Sequence, residues 1–216
     1  MSPRSSAPRI AVVDYGAGNL RSVSRALARA GLEPDVTSDP SAVREADGVV
    51  LPGVGAFRDA VAKLAANGLD KAVRDAIEAG RPYLGLCLGL QLLFEESDEH
   101  GVTPGLGLLA GRVERFPDPG TPGAPARVPH IGWNDVAFSG DHAMTRRLPQ
   151  RESFYFVHSY RAVPRDVSIV AGVVEYGAPF AAAVATENVF AVQFHPEKSQ
   201  TSGRVLLDAF HAWVTA

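Results

Sequence analysis

The spacing of hydrophobic and polar positions changes character partway along the chain. In the first half, short apolar runs alternate with stretches whose apolar residues recur at helical spacing. Residues 10–13 form a β-type run that ends at Asp14-Tyr15-Gly16-Ala17-Gly18. Residues 19–30 then place Leu20, Val23, Leu27 and Ala30 on one helical stripe, which Gly31 stops. A second strand is predicted near 35–37 and a third at 48–51, the latter closed by Pro52-Gly53-Val54-Gly55. Two helical patterns follow at 56–66 and 69–79, divided by Asn67-Gly68. Residues 82–86 read as a short strand running straight into Cys87, and 88–96 as a helix.

The second half reads as strands at 111–116, 128–138, 153–160, 168–175 and 189–194, with a Pro- and Gly-rich loop at 117–129 and an amphipathic helix at 202–214. Strand–helix alternation favours a parallel sheet covered on both faces. The expected fold class is therefore α/β: a three-layer sandwich with a mainly parallel central sheet flanked by helices, plus an antiparallel section from the second half.

Composition narrows this picture. The 216 residues are 46% hydrophobic and 21% charged, enough for a sizeable core in one domain, expected over residues 9–216. Residues 1–8 are short, polar and Pro/Ser-containing, and read as a disordered tail without the apolar segment of a signal peptide. A net charge of −3 offers no basic excess for nucleic acid or an anionic membrane. No run approaches the roughly 18 apolar residues of a membrane span. The expectation is a cytoplasmic protein. A single Cys excludes an internal disulfide and fits a reducing compartment.

That cysteine is the centre of the candidate chemistry. A short apolar strand, then Gly85-Leu86-Cys87-Leu88-Gly89, then a helical pattern is the layout of a nucleophile elbow. The flanking glycines permit a sharp turn, and the N–H of Leu88 is placed to face a developing oxyanion. Gln91 follows one helical turn beyond Cys87, on the same side. The bland alternative is a core thiol between two packing glycines. Among six His, His195 follows an apolar strand and precedes Pro196-Glu197. In an extended chain, residues two apart face the same way, so Glu197 can orient the imidazole. A surface His and Glu at a strand end is the competing reading. His158 lies on the same strand face as Phe156 and Tyr160 and reads as structural. Pro52-Gly53-Val54-Gly55 offers converging backbone N–H groups, with Val54 as a second oxyanion donor. No Walker lysine and no dinucleotide spacing accompany the glycine turns, and the His and Cys spacing makes no metal site. No cofactor or metal is expected.

These residues carry a resemblance. Gly-Leu-Cys-Leu-Gly-Leu-Gln at 85–91, Pro-Gly-Val-Gly at 52–55 and the late His195-Pro196-Glu197 are similar to class I (triad) glutamine amidotransferases, which hydrolyse the glutamine side-chain amide and hand ammonia to a synthase. Residues 14–20 (DYGAGNL), 51–57 (LPGVGAF), 128–134 (VPHIGWN), 155–160 (YFVHSY) and 193–199 (QFHPEKS) are similar to one branch, the glutaminase subunits of imidazole glycerol phosphate synthase in histidine biosynthesis. The resemblance implies a flavodoxin-like fold and places Cys87, His195 and Glu197 on the triad. It implies Val54 and Leu88 as oxyanion donors, and Gly53, Gly55, Gln91, Ser159 and Tyr160 around the substrate, L-glutamine. It puts Asn19, Tyr155 and Lys198 on the face that meets a (β/α)8-barrel cyclase subunit in a heterodimer. Three other readings stay open at this level. They are the same triad feeding another synthase (vitamin B6, anthranilate or guanine nucleotide), a related α/β cysteine hydrolase, and a non-catalytic interaction subunit with a structural Cys87.

Overall fold

The structure is a computed structural model that describes residues 7–216, so most of the tail expected at 1–8 lies outside the described residues. Four strands of the first half and one from near the end of the chain are parallel neighbours in the order β2-β1-β3-β4-β13: β2 (Glu33–Thr37), β1 (Arg9–Val13), β3 (Gly48–Gly53), β4 (Tyr83–Cys87) and β13 (Val189–Val192). Strand alternation decides the layers. Ile10 and Val12 point to one face, with Val23 and Leu27 of α1 (Leu20–Arg29) and Leu206, Leu207 and Phe210 of α6 (Gln200–Val214). Ala11 and Val13 point to the other, with Val43 of α2 (Pro40–Glu45), Phe57, Ala60 and Leu64 of α3 (Phe57–Ala66) and Leu69, Ala72, Val73 and Ala76 of α4 (Leu69–Glu78). This is the three-layer α/β arrangement that the hydrophobic pattern predicts.

Beyond β13 the pairing turns antiparallel. β12 (Ala178–Thr186) pairs β13, and β10 (Tyr160–Pro164) and β7 (Leu109–Arg115) continue the sheet. β11 (Val170–Tyr176) branches from β12 to β8 (His130–Phe138), which pairs β9 (Arg151–His158). The loop at 117–129 links β7 to β8, as its Pro and Gly content predicts.

The structure departs from the sequence reading at β10, most of which lies beyond the strand expected at 153–160, and in three further places. The helix expected at 88–96 is only α5 (Leu88–Gln91), and β5 (Phe94–Ser97) pairs parallel with β7 and antiparallel with β6 (Thr103–Pro104). A short apolar run such as Leu92-Leu93-Phe94 fits a helix or a buried strand equally, and the partner strand decides. β12 is absent from the expectation because its alanines carry little β propensity. Close packing selects them: a Cβ at Gly172 of β11 would already sit 3.0 Å from Ala183 Cβ. The short α2 is the last of these departures. Pro40 opens it, and Asp39 caps it by accepting from Ser41 N.

Gly89 lets α5 pass directly over β3, since a Cβ there would collide with the Leu51 carbonyl. Tyr83 Oη seals the same crossing by donating to the Gly89 carbonyl at 2.8 Å. Gly89→Ala is therefore expected to lower stability by about 3 kcal/mol, as read by urea unfolding of the purified chain.

Candidate active site

Parallel α/β sheets present ligand sites at the carboxyl ends of their strands. Here β1, β3, β4 and β13 end at Val13, Gly53, Cys87 and Val192, which gathers four sequence-distant loops at one edge. The last three open on a cavity of about 490 Å³ whose walls include Val54, Gly55, Cys87, Leu88, Gln91, Glu99, His158, Ser159, Tyr160, His195 and Lys198. A second hollow of about 550 Å³, between β10, β11 and β12, is largely apolar apart from the Arg161–Glu114 ion pair and Ser139, and is lined by no cysteine or histidine.

Cys87 stands at the turn from β4 into α5 with φ +54° and ψ −104°. A non-glycine residue in this region costs on the order of 1–3 kcal/mol, and the surrounding packing holds it there. β3 pairs β4 as far as Gly53↔Cys87. A Cβ at Gly85 would meet the Gly89 carbonyl at 2.7 Å, so only glycine lets the chain double back this tightly. Cys87 is 7% exposed, and Leu88 follows it as the first residue of α5, where an N–H has no partner within its helix. With α5 only four residues long, the helix dipole behind the sulfur is weak, so neighbouring side chains carry more of the local electrostatics.

Those side chains come from the loop after β13. His195 and Glu197 are each 3% exposed at the side chain, and His195 Nδ1–H donates to Glu197 Oε1 at 2.8 Å. Glu197 lies in a single 3-10 turn, Pro196–Lys198, rather than in an extended run. Ser199 braces that turn: its hydroxyl donates to the His195 carbonyl at 2.6 Å and accepts from Tyr155 N at 3.0 Å. The remaining His195 atom, Nε2, is buried without a hydrogen-bond partner of good geometry. Burial opposes the imidazolium, but hydrogen bonding and charge attraction from Cys87 and Glu197 outweigh it and raise the His195 pKa to about 9. A sulfur, an unspent imidazole nitrogen and a carboxylate that fixes the tautomer are thus together at the cavity floor. This set can perform nucleophilic attack with proton return to a leaving group.

The other residues named from sequence divide unevenly. Val54, Gly55, Leu88, Gln91, Ser159 and Tyr160 line the cavity. Gly53 does not: it is buried beneath the wall, where a Cβ would meet Tyr15 Oη at 2.6 Å and Leu88 Cβ at 2.7 Å. This packing accounts for the absence of a side chain at Gly53. Gln91 is 6% exposed, and its amide nitrogen is spent on the Tyr160 carbonyl and Gln193 Oε1, both at 3.0 Å, so only its oxygen remains for the cavity. Asn19, Tyr155 and Lys198 lie near the same edge. Asn19 is exposed and makes no side-chain cap to α1, and Lys198 Nζ stands 5.8 Å over the Tyr155 ring.

Three neighbours have no role in the sequence reading. Gln193 is fully buried and donates to Cys87 Sγ at 3.5 Å. Glu99 sits in the cavity wall and accepts from Phe57 N at 2.6 Å, the first amide of α3. Tyr15 Oη is buried without a partner, and burial together with the nearby Cys87 charge raises its pKa. Gln193 opens the run 193–199 named above, yet a glutamine at a strand end carries no signal of its own.

His158 in the cavity wall and His130 behind it are buried as neutral rings. His158 Nδ1 bonds the Tyr160 carbonyl at 2.8 Å, and His130 Nδ1 meets His158 Nε2 at 3.2 Å. Burial lowers their pKa values to about 3 and about 4. Below the ordinary value of 6.5, the unfolded chain takes up protons that these folded rings refuse, so stability falls as pH drops from about 6.5 towards 4. His195 has the opposite sign. Its folded value lies above 6.5, so its contribution is complete below 6.5 and is lost as pH rises through about 9. Urea unfolding across pH 4–9 should therefore show His158→Asn flattening the acid limb and His195→Asn flattening the alkaline one.

Comparison with known proteins agrees with this geometry. Residues 11–212 match the family model described as "Glutamine amidotransferase class-I". The imidazole glycerol phosphate synthase subunit HisH of Moorella thermoacetica is 51% identical over 201 residues, covering 93% of each chain. That of Methylococcus capsulatus is 52% identical over 209 residues, covering 94% of this chain and 96% of its own. Among solved structures, PurLQS of Thermotoga maritima shares the fold with a TM-score of 0.74 at 22% identity, covering 96% of this chain and 99% of that one. No helix among the described residues is long and apolar enough to cross a membrane. The chain belongs to the class-I glutamine amidotransferases and, within them, to the family of the HisH subunits of imidazole glycerol phosphate synthase.

Proposed function

We propose that the chain is a glutaminase subunit that hydrolyses L-glutamine to L-glutamate and ammonia and passes the ammonia to a cyclase making imidazole glycerol phosphate in histidine biosynthesis. The observation that carries this reading is the Cys87 sulfur on its strained turn, beside the buried His195–Glu197 pair, at the floor of a cavity with room for an amino acid. Residues 9–216 act as one domain in the cytoplasm, and no bound cofactor is invoked.

Cys87 thiolate attacks the amide carbon of the substrate. The charge that builds on the carbonyl oxygen is met by backbone N–H groups of Leu88 and Val54. His195, as imidazolium, protonates the departing nitrogen, and ammonia leaves a thioester on Sγ. The neutral imidazole then takes a proton from water as it attacks the thioester, and returns that proton to sulfur as glutamate departs. Glu197 keeps Nδ1 protonated and stabilises the imidazolium at each stage. At the far wall, Glu99 has one oxygen committed to Phe57 N and the other suited to an α-ammonium group. Gly55, the Gln91 oxygen, Ser159 and Tyr160 complete the enclosure. Cys87→Ala is expected to abolish glutamine-dependent turnover while leaving ammonia-dependent synthesis through the cyclase intact. Retained glutaminase activity in that variant would overturn the assignment.

The partner reading rests on the rim. Ile131 and Trp133 are 56% and 48% exposed, and cross-strand pairing sets them beside Val157 and Tyr155 on one face of the β8–β9 pair. Val157 also lines the cavity. Exposed apolar and aromatic side chains of this kind mark protein interfaces. We assign this face, with Asn19, Tyr155 and Lys198, to a (β/α)8-barrel cyclase in a heterodimer whose two halves combine hydrolase and lyase chemistry. The roughly 50% identity to HisH subunits favours this partner over the synthases for vitamin B6, anthranilate or guanine nucleotides. Trp133→Ala should weaken the complex tenfold or more, measured by calorimetry with the cyclase. Unchanged affinity would remove this face from the interface.

A further inference from the structure

We propose that Gln193 is a positioning residue for Cys87: its buried side-chain amide donates a hydrogen bond to Sγ and fixes the direction and charge of the sulfur. The proposal rests on reading Cys87 as the nucleophile. The contact is Gln193 Nε2 to Cys87 Sγ at 3.5 Å, with Gln193 fully shielded from solvent.

Which end of this amide faces the sulfur follows from a chain of obligatory partners. The Tyr160 carbonyl can only accept. Gln91 lies 3.0 Å from that carbonyl through its amide nitrogen, which also reaches Gln193 at 3.0 Å. The atom of Gln193 that meets a donor there must be its oxygen, so the N–H end is left for the sulfur. The same carbonyl receives a second donor. His158 Nδ1, at 2.8 Å, must carry its proton, so the neutral ring presents Nε2 as an acceptor to His130 Nδ1 at 3.2 Å. His130 Nε2 in turn lies 3.4 Å from Asn134 Nδ2. Two fixed donors saturate the Tyr160 carbonyl and lock Gln91, and Gln91 locks Gln193. Every member is buried or half-buried, so each unmade bond would carry its full desolvation cost.

A donated N–H favours thiolate over thiol. The short α5 supplies little dipole behind the sulfur, and the Gln193 donor lies on the side given by β13 rather than by α5. It acts beside His195, which belongs to the loop that follows the same strand.

The test uses the fact that Cys87 is the only cysteine in the chain, so a mass gain of one alkyl group per chain reports this sulfur alone. Wild type, Gln193→Met and Gln193→Glu are alkylated with iodoacetamide across pH 5–10, with unfolding midpoints measured alongside. Gln193→Met should move the alkylation midpoint up by about one pH unit or more. Gln193→Glu, which sets a carboxylate against the thiolate, should move it further. In glutamine hydrolysis, kcat should fall about tenfold or more with KM little changed. Folded variants with the wild-type alkylation midpoint would overturn the proposal, because a packing role lowers stability without moving that midpoint. Should neither Gln193 variant fold, Gln91→Leu unlocks the amide while keeping it, and predicts a smaller shift in the same direction; an unchanged midpoint would again overturn it. Loss of the glutaminase reading itself would appear separately, as turnover retained by Cys87→Ala.

Discussion

The turn at Cys87 constrains the rest of the molecule. A side chain held at φ +54° needs scaffolding on every side, and most of the surrounding sequence choices supply it. Pairing with β3 fixes the approach, Gly85 and Gly89 clear the space for α5 to fold back, and Tyr83 ties the far end of that crossing. The strain is local and the compensation is spread over several elements, as expected where backbone geometry serves a reactive atom. The parallel sheet is the platform that makes such compensation rigid.

Around that turn, polar groups are arranged in pairs that leave few unspent. His195 gives one nitrogen to Glu197 and keeps the other free at the cavity floor. Gln91 and Gln193 face each other, and the Tyr160 carbonyl closes the group from β10. The electrostatic consequence is asymmetric. His195 is driven towards its charged form by the cysteine and the glutamate, while His158 and His130, buried a short distance behind, are driven to neutrality by burial. One site therefore holds imidazoles in opposite protonation states for opposite physical reasons.

The antiparallel section does more than extend the sheet. β8 and β9 carry buried aromatic side chains inward and exposed Ile131 and Trp133 outward. Through Val157, Ser159 and Tyr160 the same region forms one wall of the cavity. The outer face of this pair therefore adjoins the cavity wall.

Much of this was legible in the sequence. Period-two and period-3.6 patterning identified the parallel strands and their helices, because each has one buried face. Cys87, His195 and Glu197 stood out because glycines, a strand end and a proline frame them. The shortness of α5, the strand β12 and the burial of Gly53 did not stand out. Each depends on a neighbour distant in the chain: β7 for the run after Gln91, closely packed β11 for the alanines of β12, and Tyr15 and Leu88 for Gly53. Gln193 is the sharpest case. The sequence by itself determined that a thiol, an imidazole and a carboxylate would be presented at strand ends, since local glycine and proline chemistry and strand register suffice for that. Only the tertiary structure decided which amide donates to the thiol, because this glutamine's donor and acceptor ends are told apart by partners 106 and 102 positions away, and no local pattern encodes them.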